Sequence, residues 1–202
     1  VVEIEGLIKD RPCRAGAECK PLDRVELEAE KINILAETDG ELPVDISAEE
    51  MNLNLETLLN NRSLTLRNKK VNAIFKIYAE ELRAYAEALR RSGFMEIKSP
   101  KILNAATEGG ANFFKIKYFD RDAFLAQSPQ FYKQAGVGSF ERVFEIGPVF
   151  RAEPHFTTRH VNEYVSLDAE MGFIDSFEDV MNQFEQTVAF VFDEMRKNCQ
   201  EE

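Results

Sequence analysis

Between Phe144 and Ile174 the chain reads FEIGPVFRAEPHFTTRHVNEYVSLDAEMGFI, and this stretch constrains the fold more than any other. Taken two by two, its second half places Val165, Leu167, Ala169, Met171 and Phe173 on one face of a strand, with Tyr164, Ser166, Asp168 and Glu170 on the other. The first half, Arg142 to Glu153, reads as a second strand on which Arg151 and Glu153 share a face while Phe150 and Ala152 point the opposite way. PHFTTRH separates the two and is too long for a two-residue turn. The expectation is an antiparallel hairpin with Arg151, Glu153, Tyr164, Asp168 and Glu170 on one face.

A hairpin with one solvated face would account for the alternation alone. The connecting loop points further, because Arg159 and His160 sit at its tip, Arg151 at its base and Tyr164 between them. A guanidinium fork, a ring to stack on and further cationic donors form a cradle suited to a purine nucleotide and its phosphates.

The remainder of the chain supplies a core and a second polar cluster. At 202 residues and 44% hydrophobic composition it can bury a sizeable interior. No apolar run approaches the ~18 to 20 residues of a membrane span, and no leader is read at the N-terminus, so a cytoplasmic location and no membrane partner are expected. The formal charge of −11 argues against a general nucleic-acid binder, but not against holding one RNA through local basic patches. Cys13, Cys19 and Cys199 lack a zinc-ligand pattern and read as reduced thiols, with no metal site.

From the start, Val1 to Ile8 and Arg24 to Leu35 read as strands, too few to close a core by themselves. A linker follows with Asp39, Gly40, Pro43 and several acids. Val71, Ile74, Phe75, Tyr78, Leu82, Tyr85, Ala86 and Leu89 recur at helical spacing, and Gly93 stands where a helix stops. Phe94 to Pro100 is a short strand; Phe113 to Tyr118 and Phe124 to Gln127 are two more, with Asp120, Arg121 and Asp122 as their turn. Ser128 and Pro129 launch a helix that carries Lys133 about one turn in, followed by Gly136 and Gly138, for which the sequence offers no reason. Asp175 to Glu202 is a helix whose apolar stripe from Phe177 to Met195 is expected to be core.

Phe150-Arg151-Ala152-Glu153, a loop, then His160 with Tyr164 and Asp168 each four further on, resembles motif 2 of the class II aminoacyl-tRNA synthetases. Thr107-Glu108-Gly109-Gly110 and Gln127 to Gln134 resemble the amino-acid pocket of the aspartate-specific members of archaeal and eukaryotic kind. The helix, strand and proline ending at Pro100 resemble motif 1, although a surface helix packed on its own domain would read alike.

The resemblance implies an α+β fold: a class II antiparallel sheet flanked by helices, preceded by the end of an OB-fold barrel. Residues 1–36 would belong to the anticodon-binding barrel, 37–60 to a linker and 61–202 to an incomplete catalytic domain, since no stretch resembles motif 3. It implies activation of aspartate by ATP, with Mg2+ whose main ligand lies outside the chain, and transfer to tRNA(Asp), with tRNA(Asn) left open. The implied catalytic residue is Arg151; Arg151, Glu153, Arg159, His160 and Tyr164 would hold ATP, and Glu108, Gln130, Lys133 and Asp168 the aspartate. Homodimerisation through motif 1 is expected, and the 202-residue chain alone is expected to be inactive. An aspartate-amidating paralogue and a non-catalytic module of the same descent remain as alternatives.

Overall fold

The computed structural model describes residues 1–12, 24–38, 40–48, 50–105, 112–155, 157 and 160–200. The chain divides into two compact units, residues 1–65 and 66–202.

In the first unit, β1 (Val2–Asp10) and β2 (Val25–Ile34) form an antiparallel pair with a register shift at Glu5/Gly6. Their alternation does not translate into a buried face among the described residues: Ile4, Leu7, Ile8, Ile32 and Ile34 are all exposed. Lys31 pairs with Glu5 at 3.2 Å across the ladder. Two short helices, α1 (Leu55–Asn60) and α2 (Arg62–Thr65), complete the unit, and Asn54 caps α1 by accepting from the Thr57 amide at 2.8 Å.

The second unit is built on the long helix α3 (Lys69–Arg91), which starts two residues earlier than its apolar spacing suggests because Asn68 caps it. The Asn68 side chain accepts from the Lys70 and Val71 amides at 3.1 and 3.3 Å, worth ~1 kcal/mol. Gly93, at φ +79°, ends the helix and turns the chain so that the Phe94 amide reaches the Leu89 carbonyl. The strand expected over Phe94 to Pro100 shrinks to β3 (Met95–Glu96), which lies parallel to β7 (Arg142–Phe150). β7 pairs antiparallel along its whole length with β8 (Glu163–Met171), so the sheet order is β3-β7-β8.

A second sheet, ordered β4-β6-β5, comprises β4 (Ile102–Leu103), β5 (Lys115–Tyr118) and β6 (Arg121–Leu125). The turn expected at Asp120 to Asp122 is displaced. Phe119 takes a positive φ of 55° so that Tyr118 and Arg121 pair directly, and Asp122 becomes a strand residue gripped by Lys115 and Lys117. The sheets meet where the Phe150 amide donates to the Ala126 carbonyl at 2.9 Å.

β7 is largely covered on both faces, whereas on β8 the apolar side of the alternation is open, with Val165 41% and Leu167 36% exposed. Phe144, opposite Ala169, packs with Ala86, Leu89 and Phe94, and its ring meets Tyr85 edge-on at 6.2 Å. On the opposite face Val143, Glu145 and Val149 are buried, and α4 (Gln130–Phe140) packs there against both strands. Gly136 explains itself in this contact, since a Cβ there would stand 3.1 Å from the Val143 side chain; a Cβ on Gly138 would meet nothing within 4 Å, and nothing in the structure explains that glycine.

The terminal helix α5 (Phe177–Asn198) begins with the Asp179 carboxylate accepting from the Asp175 and Ser176 amides at 2.9 and 3.2 Å. Its stripe is not core as expected. Phe177 is 68% exposed and Phe184 70%, because α5 packs on α3 along one side only. Between α3, α5 and the Leu167–Ala169 face of β8 runs an apolar groove of about 810 Å3.

Candidate active site

Three residues of the predicted amino-acid end, Gln130, Lys133 and Asp168, converge with Glu170 where α4 crosses β8. Pro129 stands just before the helix, where a missing amide hydrogen costs nothing. One turn on, Lys133 points into the sheet with its side chain only 7% exposed. Its ammonium lies 3.0 Å from Asp168 Oδ1 and 3.4 Å from Glu170 Oε2. The Gln130 amide nitrogen donates to Glu170 at 3.2 Å. Asp168 is engaged at both oxygens, since Ser166 Oγ donates to Oδ2. A buried ammonium is tolerable only with such partners, and here two carboxylates share one cation, a local excess of one negative charge.

Beside this cluster lies a second ionic group that sequence reading missed. Glu145, directly across the ladder from Asp168, has a side chain 2% exposed and pairs with Lys101 at 2.7 Å. Ser99 supports it, donating from Oγ at 2.6 Å and from its amide at 3.3 Å. The period-2 pattern places Glu145 on the same face as Asp168, which was the available signal. Burial, with the Asp168 charge adding to it, pushes the Tyr85 phenol above its ordinary value.

At the predicted nucleotide end, β7 stops at Phe150, so Arg151 and Glu153 are not strand residues as expected. The backbone amides show why: that of Arg151 still reaches Asn162 at 2.9 Å, but that of Ala152 turns to Asn112 at 3.0 Å and that of Glu153 to the Arg151 carbonyl at 2.9 Å. The chain bends out of the ladder there. Asn162 pins the bend, its side-chain amide donating to the Arg151 and Glu153 carbonyls at 2.9 and 3.1 Å. Sequence reading gave Asn162 no role. The Arg151 guanidinium stands 6.0 Å from the Tyr164 ring centre, so the fork and the flat ring are adjacent as predicted. His160 has Nδ1 2.6 Å from Thr157 Oγ1 and Nε2 3.8 Å from Glu153.

Tyr164, Asp168 and Glu170 therefore share one face of β8, and the four steps from Tyr164 to Asp168 span about 13 Å of strand. Glu108 and its neighbours Thr107, Gly109 and Gly110, together with Arg159, Cys13 and Cys19, lie outside the described residues. Cys199 is a free, half-buried thiol. Among the described residues, no three His, Cys, Asp or Glu side chains are grouped to hold a metal ion. Among them, too, no helix is long and apolar enough to cross a membrane.

The chain is similar in sequence and in fold to known proteins. An aspartate–tRNA(Asp/Asn) ligase of Deinococcus radiodurans is 45% identical over 201 residues, covering all of this chain and 45% of that protein. An aspartate–tRNA(Asp) ligase of Pyrococcus abyssi is 44% identical over all of this chain and 44% of its own length. The chain thus spans a little under half of the curated relatives it matches. Among solved structures, asparaginyl-tRNA synthetase of Pyrococcus horikoshii complexed with asparaginyl-adenylate superposes with a TM-score of 0.85 at 31% identity, over 98% of this chain and 43% of that one. Aspartyl-tRNA synthetase of Entamoeba histolytica gives 0.77 at 29% identity, over 99% and 42%. Residues 54–202, which carry the buried Lys133 cluster and the Arg151–Tyr164 bend, match the family described as tRNA synthetases class II (D, K and N), and the chain belongs to that family.

Proposed function

We propose that this chain is the amino-acid- and nucleotide-holding part of an aspartate–tRNA ligase. The observation that carries the reading is Lys133, a buried ammonium of α4 within 3.4 Å of two carboxylates that share a face of β8 with Tyr164. An aspartate β-carboxylate complements that ammonium, and the local negative excess suits the α-ammonium. About 13 Å along β8, Tyr164 and Arg151 offer a stacking surface and a guanidinium for ATP.

In this reading an aspartate α-carboxylate oxygen attacks the α-phosphorus of ATP, pyrophosphate leaves, and the 3′-terminal ribose hydroxyl of tRNA later takes the aspartyl group. The nucleophile is already ionised, so the protein orients two anions and stabilises growing charge rather than supplying a base. Arg151 is the stabilising group, and Glu153, Arg159 and His160 complete the ATP site. Glu108 joins Gln130, Lys133 and Asp168 around the amino acid. Magnesium would accompany ATP, but the described residues group no ligands for it, and no step is assigned to it.

The same proposal assigns residues 1–36 to the end of an OB-fold barrel, 37–60 to a linker and 61–202 to the catalytic domain. It makes the protein a cytoplasmic homodimer joined through the motif 1 region, acting on tRNA(Asp) and, if the barrel permits, tRNA(Asn). No observation favours the amidating paralogue or a non-catalytic module.

Aspartate-dependent exchange of pyrophosphate into ATP by the full-length protein tests the reading. Arg151→Ala should slow exchange ~10²-fold or more with little change in aspartate affinity. An unchanged rate would remove Arg151 from this role, and a parent without aspartate-dependent exchange would overturn the function.

A further inference from the structure

We propose that Glu170 is the positioning residue of the amino-acid end: it fixes the Gln130 amide so that its carbonyl oxygen is presented to the substrate's α-ammonium. This rests on the proposed amino-acid site but goes beyond it, since it gives Glu170 a task independent of the side chain selected.

The argument begins with the chemistry of the two partners. A carboxylate only accepts hydrogen bonds, whereas a primary amide donates from one end and accepts at the other. Gln130 Nε2 stands 3.2 Å from Glu170 Oε2 and 3.5 Å from Oε1. The amide is therefore locked with its nitrogen on Glu170, and Oε1 is the end turned away from that carboxylate. Oε1 finds no donor among the described residues and keeps its acceptor capacity for an incoming one. Glu170 is itself held from the other side by Lys133 at 3.4 Å, so the carboxylate is fixed before any ligand arrives. Asp168 is not available for the same task, because Lys133 and Ser166 occupy its two oxygens.

Replacing Glu170 by glutamine reverses the lock. A glutamine at 170 keeps its carbonyl oxygen on the donor-only Lys133 and turns its NH2 group to Gln130, so the Gln130 amide reverses to accept it and presents its own NH2 group to the ammonium. The loss falls on ligands that carry the ammonium. A ligand identical except for a hydroxyl in that place is indifferent, because a hydroxyl donates and accepts alike.

The experiment uses Glu170→Gln in the full-length protein and pyrophosphate exchange as readout. Aspartate is the substrate and 2-hydroxysuccinate a competitive inhibitor. The KM for aspartate should rise about tenfold, the scale of one hydrogen bond to a charged group. The inhibition constant of 2-hydroxysuccinate, the KM for ATP and kcat should stay within about twofold. Glu170→Asp, a carboxylate still, should restore part of the aspartate affinity. Equal losses for the amino acid and its hydroxy analogue would mean that Glu170 acts through Lys133 instead, and would overturn the proposal, as would an unchanged KM. If the parent activates asparagine or lysine rather than aspartate, the functional reading fails by itself. The same comparison made with that amino acid and its 2-hydroxy counterpart still decides the role of Glu170.

Discussion

Lys101→Met tests the buried ion pair on which the polar face of the ladder rests. Lys101 Nζ lies 2.7 Å from Glu145 Oε1 and 3.0 Å from Ser99 Oγ, and the Glu145 side chain is 2% exposed. Removing one partner of such a pair leaves a desolvated charge and costs ~3–5 kcal/mol. The Ser99 hydroxyl and amide remain on Glu145 at 2.6 and 3.3 Å, so the low end, about 3 kcal/mol, is expected. With a urea slope of ~2 kcal/mol/M, the midpoint should fall by about 1.5 M at unchanged slope. The chain has two units, so the readout is amide exchange at Phe144 and Ile146, which belong to the buried ladder of residues 66–202. Lys101→Met with Glu145→Gln removes the stranded charge but keeps an acceptor for Ser99, and should regain roughly 2 kcal/mol of the loss. A single variant within about 0.3 M of the parent midpoint, or a double variant no better than the single, would refute the claim that the ladder rests on the Lys101–Glu145 pair.

Lys133→Met in the full-length protein should raise the KM for aspartate by about thirtyfold to several thousandfold while the KM for ATP stays put, and an unaltered preference for aspartate over asparagine would eliminate Lys133 as the discriminator. The variant should also be less stable, because Asp168 and Glu170 lose their shared cation. Gly138→Ala should stabilise the chain by about 0.5–1 kcal/mol, seen as a melting midpoint higher by ~1–4 °C, whereas Gly136→Ala at its 3.1 Å contact should show no gain. Arg83 foremost, with help from Asn198, holds the Glu80 carboxyl down at about 2 from 4.5. A lowered carboxylate contributes stability above its unfolded value and loses it as pH falls, so the protection of the α5 C-terminal amides, taken relative to unfolded-chain exchange at each pH, should fall between pH 4.5 and 2, and Glu80→Gln should flatten that dependence.

What the sequence made legible was periodic. The β7–β8 hairpin, α3 and α5 announce themselves through spacings of two or of three and four, and the Arg151–Tyr164 neighbourhood follows from the hairpin register. What it concealed depends on partners distant in the chain. Arg151 leaves the ladder because the next amide finds Asn112, some forty residues upstream, and no local pattern reports that. The turn after β5 was misplaced because Phe119 adopts a conformation usually left to glycine or asparagine, while Asp120 to Asp122 carried the familiar turn composition. Alternation separates faces but does not say which is covered: on β8 the polar side lies under α4 while Val165 and Leu167 opposite are exposed, and the α5 stripe looked buried although most of it is open. Glu170 was visible on the right face, but its work depends on the orientation of an amide forty residues away.

The Lys133–Asp168 pair joins residues 35 positions apart, and the Ser99–Glu145 contact joins residues 46 apart. Each is made by an upstream group waiting for a carboxylate on the β7–β8 hairpin. During synthesis at ~5–20 residues per second, Lys133 is in the chain for roughly two to seven seconds before Asp168 has been added. Lys133 stays hydrated through that interval, since an unpaired ammonium resists burial. Closing loops of this size costs only slowly more with length, so it is the arrival of the hairpin that decides when α4 docks. The polar side of the sheet thus acts as a timer in folding: α4 settles onto β7 and β8 only after both carboxylates that neutralise its lysine have been made.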